Sequence, residues 1–327
     1  MRRFWVHVLI PVTIAGSLAF LQRTGVAQTE EPIRPIPPKV GFDSDRAAIG
    51  ERLFHDVRLS PGRQESCASC HPLDHGGMDG LPVAMRPDGS SHLRNTPTVF
   101  NAALNTTYNW DGVAHTLESH ADRIIRKLMK ISWNEVIARL RSDSDYTSAF
   151  RAFYKDGLTR ANILDALATF ERSIITPNCR FDRFLRGQQD TLTEREARGY
   201  QLFKRYGCIT CHQGINVGGN LYQKFGVFKD MASHKAPIDL GRIRITNVPR
   251  DEEVFRVPSL RNVAVTAPYF HDGREPDLTK AVETMAKVQL GKALPHEHAD
   301  LIVEFLRTLT GEFRGALLPA CTMEVRP

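Results

Sequence analysis

The chain has 327 residues, of which 42% are hydrophobic and 24% charged. This is the composition of a globular protein, and the length fits two domains of ordinary size with real cores. The formal net charge is +6, and residues 1–27 carry three arginines and no acid, which leaves +3 for the rest of the chain. There is no Lys/Arg tract with interleaved aromatic residues, so we expect no nucleic-acid partner.

The N-terminus has the pattern of a secretory signal. Arg2 and Arg3 precede an apolar run from Phe4 to Leu21, and small residues at 25–27 provide a cleavage site. We therefore expect residues 1–27 to be a signal peptide and the folded part to lie in the periplasm, where disulfides are permitted. The alternative is an uncleaved membrane anchor, because the apolar run approaches spanning length.

A Pro-rich, extended lead-in over residues 28–42 comes before the first predicted domain, which spans 43–178. A loop rich in Gly, Pro, Asp and Asn occupies 72–111, and residues 178–189 are predicted to be the connection to the second domain. Apolar periodicity predicts helices over residues 44–55, 116–129, 133–141, 146–154 and 160–174.

The second predicted domain spans residues 179–312, and a tail follows over 313–327. A capping-box pattern from Thr193 to Glu196 predicts the start of a helix that leads to Cys208. Residues 213–277 are rich in loops, and two more helices are predicted over 278–290 and 295–308. Helices around long loops, with almost no strand alternation, predict a mainly α fold.

Each predicted domain contains one Cys-x-x-Cys-His motif. The motif residues are Cys67, Cys70 and His71 in the first domain and Cys208, Cys211 and His212 in the second. The two cysteines of such a motif can form thioethers with the vinyl groups of one haem, and the histidine then reaches the iron. A thioredoxin-like site would need a βαβ pattern, and a zinc site would leave both histidines idle. We therefore predict two covalently bound haem c groups.

A Leu-Phe pair precedes each motif on a helix-like segment, at Leu53-Phe54 and at Leu202-Phe203. This repeat predicts two cytochrome c-like haem domains related by duplication. Two further cysteines, Cys179 and Cys321, lie outside the motifs. In an oxidising compartment they could form a disulfide, and two unpaired thiols are the alternative.

The order of several segments resembles the bacterial di-haem cytochrome c peroxidase family, which also contains the tryptophylquinone-forming enzyme of methylamine metabolism. The resemblance covers about residues 46–312. Its segments are Arg94–Asn101, Tyr108–Gly112, Phe170–Ser173, Thr176–Asn178, Phe181–Gly187, Val257–Asn262 and Ala267–Gly273.

The resemblance implies roles for residues around the haems. His71 and His212 match the proximal ligands, Met285 matches the second axial ligand of the C-terminal haem, and Trp110 matches a tryptophan between the haems. His271 matches a histidine of the region between the domains. The resemblance also implies a calcium ion, held partly by the positions of Asn95, Thr266 and Pro268.

The sequence departs from the family around the N-terminal haem, where peroxide is expected to bind. The usual distal histidine corresponds to Pro87, which would leave the iron open. Nearby side chains that could replace the missing ligand are His75, Met78, Met85 and His92.

The acid/base positions of the family also differ. The usual glutamine and glutamate correspond to His120 and Lys130. Either side chain could move the proton that peroxide cleavage requires, whereas Lys130 could also cap the iron or lie solvated on a helix surface.

The resemblance implies a peroxidase that reduces hydrogen peroxide with electrons from a small soluble cytochrome c or cupredoxin. One alternative is an enzyme that oxidises another protein, although the relative of that type uses a tyrosine where Met285 stands here. The other alternative is a non-catalytic di-haem electron carrier or redox sensor, because the usual distal residues are missing. Family members are often dimers, and the resemblance leaves a homodimer open.

Overall fold

Side-chain caps set the starts of most helices of the first half. The Asp43 carboxylate accepts from the backbone N–H groups of Asp45 and Arg46, and Thr159 accepts from Asn162 in the same way. The computed structural model describes residues 31–85, 90–91, 93–229 and 239–319. The helices of its first half are α1 (Ser44–Phe54), α2 (Cys67–Cys70), α3 (Leu117–Arg123), α4 (Trp133–Arg141), α5 (Ser144–Phe153) and α6 (Arg160–Ser173).

The helix predicted over 116–129 differs from the observed one. α3 ends at Arg123, and Ile124–Leu128 forms a π-helical turn, in which the N–H of Met129 donates to the carbonyl of Ile124 at 2.9 Å. After this wider turn the chain leaves the helix, and Lys130 adopts a left-handed φ of +57°. Such π turns are rare and are often found near functional sites.

The second half is also mainly helical. Its helices are α7 (Arg180–Leu185), α8 (Glu194–Tyr206), α9 (Ile243–Thr246), α10 (Leu278–Gln289) and α11 (His296–Arg307). Two short antiparallel pairs complete the described part, β1 (Tyr222–Lys224) with β2 (Val254–Arg256) and β3 (Glu312–Phe313) with β4 (Ala316–Leu317). The predicted mainly α fold is confirmed, but the connection contains α7 and the loop-rich stretch contains β1 and β2.

Two large hydrophobic cores and a smaller cluster around Tyr108 lie in the described residues from Pro32 onward, which form one compact unit. The first core contains Leu53, Phe54 and Phe170, and the second contains Leu202, Phe203 and Phe305. Among the described residues, no helix is both long enough and apolar enough to cross a membrane.

Both ends of the described chain pack on the half that is more distant in sequence. In the lead-in, Ile33 belongs to the second core, and the N–H of Ile36 donates to the Asp182 carboxylate at 3.3 Å. After β4, Leu318 belongs to the first core, where Phe313 packs against Phe100 with ring centroids 5.0 Å apart. The segments predicted as a lead-in and a tail therefore connect the two halves.

A glycine marks the helix crossing in each half. A Cβ on Gly50 of α1 would collide with the Ala166 carbonyl of α6, and a Cβ on Gly199 of α8 would collide with the Leu301 carbonyl of α11. Both glycines stand three residues before the Leu-Phe pair. The close backbone approach places each Leu-Phe helix firmly against the last helix of its half, and so positions the Cys-x-x-Cys-His motif that follows.

Candidate haem-binding site

The first Cys-x-x-Cys pair forms the short helix α2, and His71 follows it directly. His71 is partly buried, and its Nδ1 lies 3.0 Å from the Gly77 carbonyl oxygen. A carbonyl can only accept, so Nδ1 carries the proton and the Nε2 lone pair is left for a metal. Burial lowers the pKa of His71, which keeps the ring neutral and suited to bind iron.

The second motif has the same arrangement. Gly207 ends α8 in the left-handed region with φ +95°, and Cys208–Thr210 follows as a single 3-10 turn. The Nδ1 of His212 lies 3.4 Å from the Val217 carbonyl oxygen, and burial lowers the pKa of His212 to about 4. His212 is therefore also a neutral imidazole with Nε2 available.

An apolar cavity lies beside the second motif. Cys208, Cys211, His212 and Met285 all line it, together with apolar side chains such as Phe203. Its empty space, including the open mouth, is about 1550 Å³. The two thiols, an imidazole with free Nε2, a thioether and apolar walls fit a c-type haem.

Two similar turns bring Trp110 and His271 together. Tyr108 pairs with Ala114 across the first turn, and Tyr269 pairs with Glu275 across the second. Trp110 and His271 occupy matching positions in these turns, and their rings meet edge to face at 6.3 Å. Both turns have the sequence Tyr-x-x-Asp-Gly, a repeat that could have predicted this pair.

Backbone hydrogen bonds hold this pair in place. The Trp110 Nε1–H donates to the Asn95 carbonyl at 2.9 Å, and the Asn95 N–H donates to the His271 carbonyl at 2.7 Å. His271 also stacks on Phe255 with centroids 4.1 Å apart. Trp110 and His271 line the same cavity as His212 and are both 8% exposed, so neither ring is available to bulk water.

The three predicted calcium ligands line this cavity as well. Asn95 donates its side-chain N–H to the Leu81 carbonyl at 2.8 Å. Among the described residues, none donates a hydrogen bond to Asn95 Oδ1 or to the carbonyl oxygens of Thr266 and Pro268. These oxygens are therefore free to bind a hard cation.

His120 and Lys130, the predicted proton-transfer residues, have different surroundings. His120 is partly accessible to water although it lies deep among protein atoms, with Nε2 3.1 Å from Asn109 Oδ1 and its ring stacked on Tyr108 at 5.6 Å. Burial, then repulsion from His71, Arg256 and Arg123, lowers its pKa to about 4. Lys130 is exposed at the end of the π turn. His71 is one of the groups whose charge acts on His120.

The alternative ligands for the first haem are scattered. Met78 is buried, and its sulfur accepts from the Gly80 N–H at 3.1 Å. Met85 is 48% exposed, and His75 pairs with Asp74 at the surface. Pro87 and His92 lie outside the described residues.

Glu171 is a residue of this region to which we assigned no role from the sequence. Burial, with repulsion from Glu118, raises the pKa of Glu171 to about 8, and its charge acts on both Cys67 and Tyr108. It stands in the segment Phe170–Ser173 that carries the family resemblance, which was the available signal.

Of the two cysteines outside the motifs, only Cys179 lies in the described part of the chain. Cys179 is 1% exposed, and its sulfur accepts hydrogen bonds from Arg261 at 3.1 Å and from the Asp182 N–H at 3.3 Å. Cys321 lies outside the described residues, so the disulfide stays a prediction. Among the residues described, no three His, Cys, Asp or Glu side chains form a metal-binding group, so the two Cys pairs do not build a joint zinc site.

Comparison with known proteins identifies the family. The family model described as di-haem cytochrome c peroxidase matches residues 44–190. The chain is 39% identical to cytochrome c551 peroxidase of Nitrosomonas europaea over 307 residues, which is 92% of this chain and 91% of that protein. It is 42% identical to cytochrome c peroxidase Ccp of Escherichia coli over 295 residues, 89% of this chain but only 63% of that longer protein.

Solved structures agree with this result. A MauG-like protein associated with microbial copper homeostasis superposes with a TM-score of 0.72 at 28% identity, covering 86% of this chain and 93% of that one. The high identity and the nearly complete coverage of the Nitrosomonas relative decide the matter. The chain therefore belongs to the di-haem cytochrome c peroxidase family, and it is an oxidoreductase of the peroxidase type.

Proposed function

We propose that this protein is a periplasmic di-haem c-type cytochrome that reduces hydrogen peroxide to water with electrons from a small cytochrome c or cupredoxin. The observation that carries the proposal is the matched state of His71 and His212. Each follows a Cys-x-x-Cys pair, and each has Nδ1 beside a backbone carbonyl and Nε2 left for iron. The names of the Nitrosomonas and Escherichia relatives support the peroxidase activity.

We assign the haem-holding residues accordingly. Cys67 and Cys70 would tether one haem c, and Cys208 and Cys211 the other, with covalent attachment through thioethers. Bound haem c would supply the iron centre at which peroxide is reduced. Met285 would hold the haem iron of the C-terminal site together with His212, since both line the same cavity. A thioether ligand favours ferrous iron and would make this site the electron entry point.

His120 is the group that we assign to proton transfer. Reduction of one peroxide to two waters consumes two electrons and two protons, and a base must accept the first peroxide proton and return it to the leaving oxygen. Because its pKa is about 4, the His120 ring is unprotonated at pH 7. It is then a weak base with a free lone pair for the peroxide proton, and its protonated form returns that proton readily to the leaving oxygen. Lys130 is exposed and is the weaker of the two assignments.

Trp110 is the group that we assign to electron transfer between the sites. It lines the cavity of the second motif, and the backbone turn that carries it also carries Asn109, which contacts His120 beside the first motif. Its contact with His271 fixes the indole between the two halves. Asn95, Thr266 and Pro268 would bind Ca²⁺ next to this pair and stiffen it.

The two halves of the chain share features that point to a common origin. We infer that the two halves arose by duplication, which is supported by the matched glycine crossings at Gly50 and Gly199 and by the matched turns of Trp110 and His271. The N-terminal pattern of residues 1–27 supports export to the periplasm. These residues lie outside the described part of the chain.

The test is stopped-flow mixing of the fully reduced, haem-loaded protein with one equivalent of hydrogen peroxide. Two ferrous haems carry the two electrons that one peroxide needs, so we expect both to be reoxidised together, at a rate on the order of 10⁵ M⁻¹s⁻¹ or faster. Haem content, measured first as the pyridine haemochrome, should be two per chain. Reoxidation over minutes in a protein with both haems would instead favour the carrier or sensor function.

A further inference from the structure

Arg256 is a buried cation without an anionic partner among the described residues. It lies in β2, is 5% exposed and lines the cavity of His212 and Met285. Its Nε donates to the Asn109 carbonyl at 3.2 Å and its Nη1 to Asn105 Oδ1 at 3.3 Å, and both acceptors are neutral. Of the carboxylates in the described part of the chain, none lies within 4.0 Å of this guanidinium.

Two other arginines with largely buried side chains, Arg94 and Arg261, have carboxylate partners. Arg94 donates to Asp111 and to Asp239, both at 2.6 Å. Arg261, which is 2% exposed, donates to Asp182 at 2.6 Å. Arg256 is therefore an exception to a pattern that the protein otherwise follows closely.

A buried charge without a counter-charge is costly, because the interior replaces neither the hydration nor the opposite charge. Burial lowers the pKa of Arg256 only to about 10, so the side chain remains a cation at pH 7. Replacing it by a neutral residue would relieve this cost, unless an anion occupies the cavity in the working protein. The Nη2 group of Arg256 donates to none of the described residues and is available for such an anion.

A haem held in this cavity would bring the anion with it. Both propionates of a c-type haem lie on the ring edge away from the thioethers, and both are carboxylates at neutral pH. Arginine binds carboxylates in a two-pronged geometry that lysine cannot reproduce. Resting on the proposed second haem, we infer that Arg256 binds a propionate of the haem tethered at Cys208 and Cys211, and that its charge raises the midpoint potential of that haem.

Asn109 links Arg256 to His120. Its carbonyl accepts from Arg256, and its side-chain Oδ1 lies 3.1 Å from His120 Nε2. The backbone N–H of Arg256 also donates to the Trp110 carbonyl at 2.7 Å. The residue that would hold the propionate in one cavity is thus tied to the turn that positions His120 and Trp110.

The experiment is a spectroelectrochemical titration of both haems in the loaded wild-type protein and in Arg256→Gln. We expect the midpoint potential of the haem tethered at Cys208 and Cys211 to fall in Arg256→Gln, because a nearby positive charge favours the ferrous state. Arg256→Lys should lie between the two, since it keeps the charge but loses the two-pronged contact. An unchanged potential in Arg256→Gln, or a shift of the other haem alone, overturns the inference.

Arg242→Gln is the matched control. Arg242 lies in the same region, stacks on Tyr222 at 4.1 Å and has the Asp251 carboxylate 4.0 Å away. Removing this partnered charge should leave both potentials unchanged, which separates a specific contact of Arg256 from a general loss of positive charge.

A crystal structure of the loaded wild-type protein keeps the test independent of how the variants fold. It should place a propionate oxygen within hydrogen-bond distance of the Arg256 guanidinium. Water or a buffer anion in that place, with the haem present, overturns the inference. If the wild-type protein contains no haem at Cys208 and Cys211, the proposed function itself fails, and the haemochrome measurement detects that failure separately.

Discussion

The distinction between His120 and Lys130 can be tested by replacing each with alanine. His120→Ala removes a neutral imidazole that lies deep among protein atoms beside Asn109 and Tyr108. General base catalysis contributes roughly 10²–10⁴-fold to a rate. At about 1.4 kcal/mol for each factor of ten, the barrier should rise by roughly 3–5 kcal/mol. Lys130→Ala removes an exposed side chain and should leave turnover within about a factor of two.

The pH dependence of the wild-type rate gives a second, independent measurement. The neutral form of His120 is the active one, and its pKa is about 4 rather than the ordinary 6.5. The rate constant for peroxide should therefore stay level between about pH 5 and pH 7 and decline only as the pH falls toward 4. This limb should be absent from the residual activity of His120→Ala.

The assay is stopped-flow reoxidation of the reduced protein by peroxide, with haem spectra and haem content recorded for each variant as a check on folding. Normal rates in His120→Ala would refute the assignment. A large loss in Lys130→Ala with intact spectra would transfer the role to that residue. A wild-type acid limb near pH 6.5 would show that the surroundings of His120 do not suppress its protonation as we describe.

Substitutions at four further positions test the haem ligand Met285, the electron path through Trp110, the helix crossing at Gly199 and the buried acid Glu171. Met285→His should lower the midpoint potential of one haem by a large margin, and an unchanged potential would exclude Met285 as a ligand. Trp110→Phe should slow electron transfer between the haems in flash-photolysis or stopped-flow traces while both haem spectra stay the same; equal rates would dismiss the relay. In a denaturant titration, Gly199→Ala should lower the free energy of unfolding by about 2 kcal/mol, since the clash at the helix crossing outweighs the helix-propensity gain of ~1 kcal/mol. Gly41→Ala, where a Cβ would meet nothing within 4 Å, should have little effect in the same titration. Glu171 has a pKa of about 8 in the folded protein and of 4.5 in the unfolded chain, so its contribution to the free energy of unfolding is lost as the pH rises from 4.5 to 8. Glu171→Gln should remove roughly 2–4 kcal/mol of this loss. Parallel profiles of unfolding free energy against pH for variant and wild type would contradict the description of Glu171 as a buried acid.

Most of the local structure was predictable from the sequence. The helix Trp133–Arg141 has the bounds that its apolar periodicity predicts. α10 ends one residue before its predicted end, and α11 is one residue shorter than predicted at each end. The differences lie where a longer-range cause acts. The π turn at Ile124–Leu128 has no signal in apolar periodicity. The helix α7 inside the predicted connection has Phe181, Phe184 and Leu185 at helical spacing, but it is only six residues long.

The candidate site could be predicted only in part. The residue types at Cys67, His71 and Met285 indicate their chemistry because covalent attachment and ligation depend on the side chain itself. The electrostatic surroundings of His120, by contrast, come from His71 and Arg256, which are distant in sequence. Matching by position alone could therefore not distinguish His120 from Lys130, although His120 is enclosed by protein and Lys130 is exposed.

The mainly α fold, the two Cys-x-x-Cys-His motifs and the family can be recognised in the amino-acid sequence, because they depend on neighbours within a few residues or on the order of motifs. Three other properties become visible only in the folded protein. Trp110 meets His271, Ile33 and Leu318 each join the more distant core, and Arg256 lacks a carboxylate among the described residues. These properties arise from contacts through space between segments more than a hundred residues apart. No local pattern encodes such a contact, since it exists only once both cores have formed and the chain has brought the segments together.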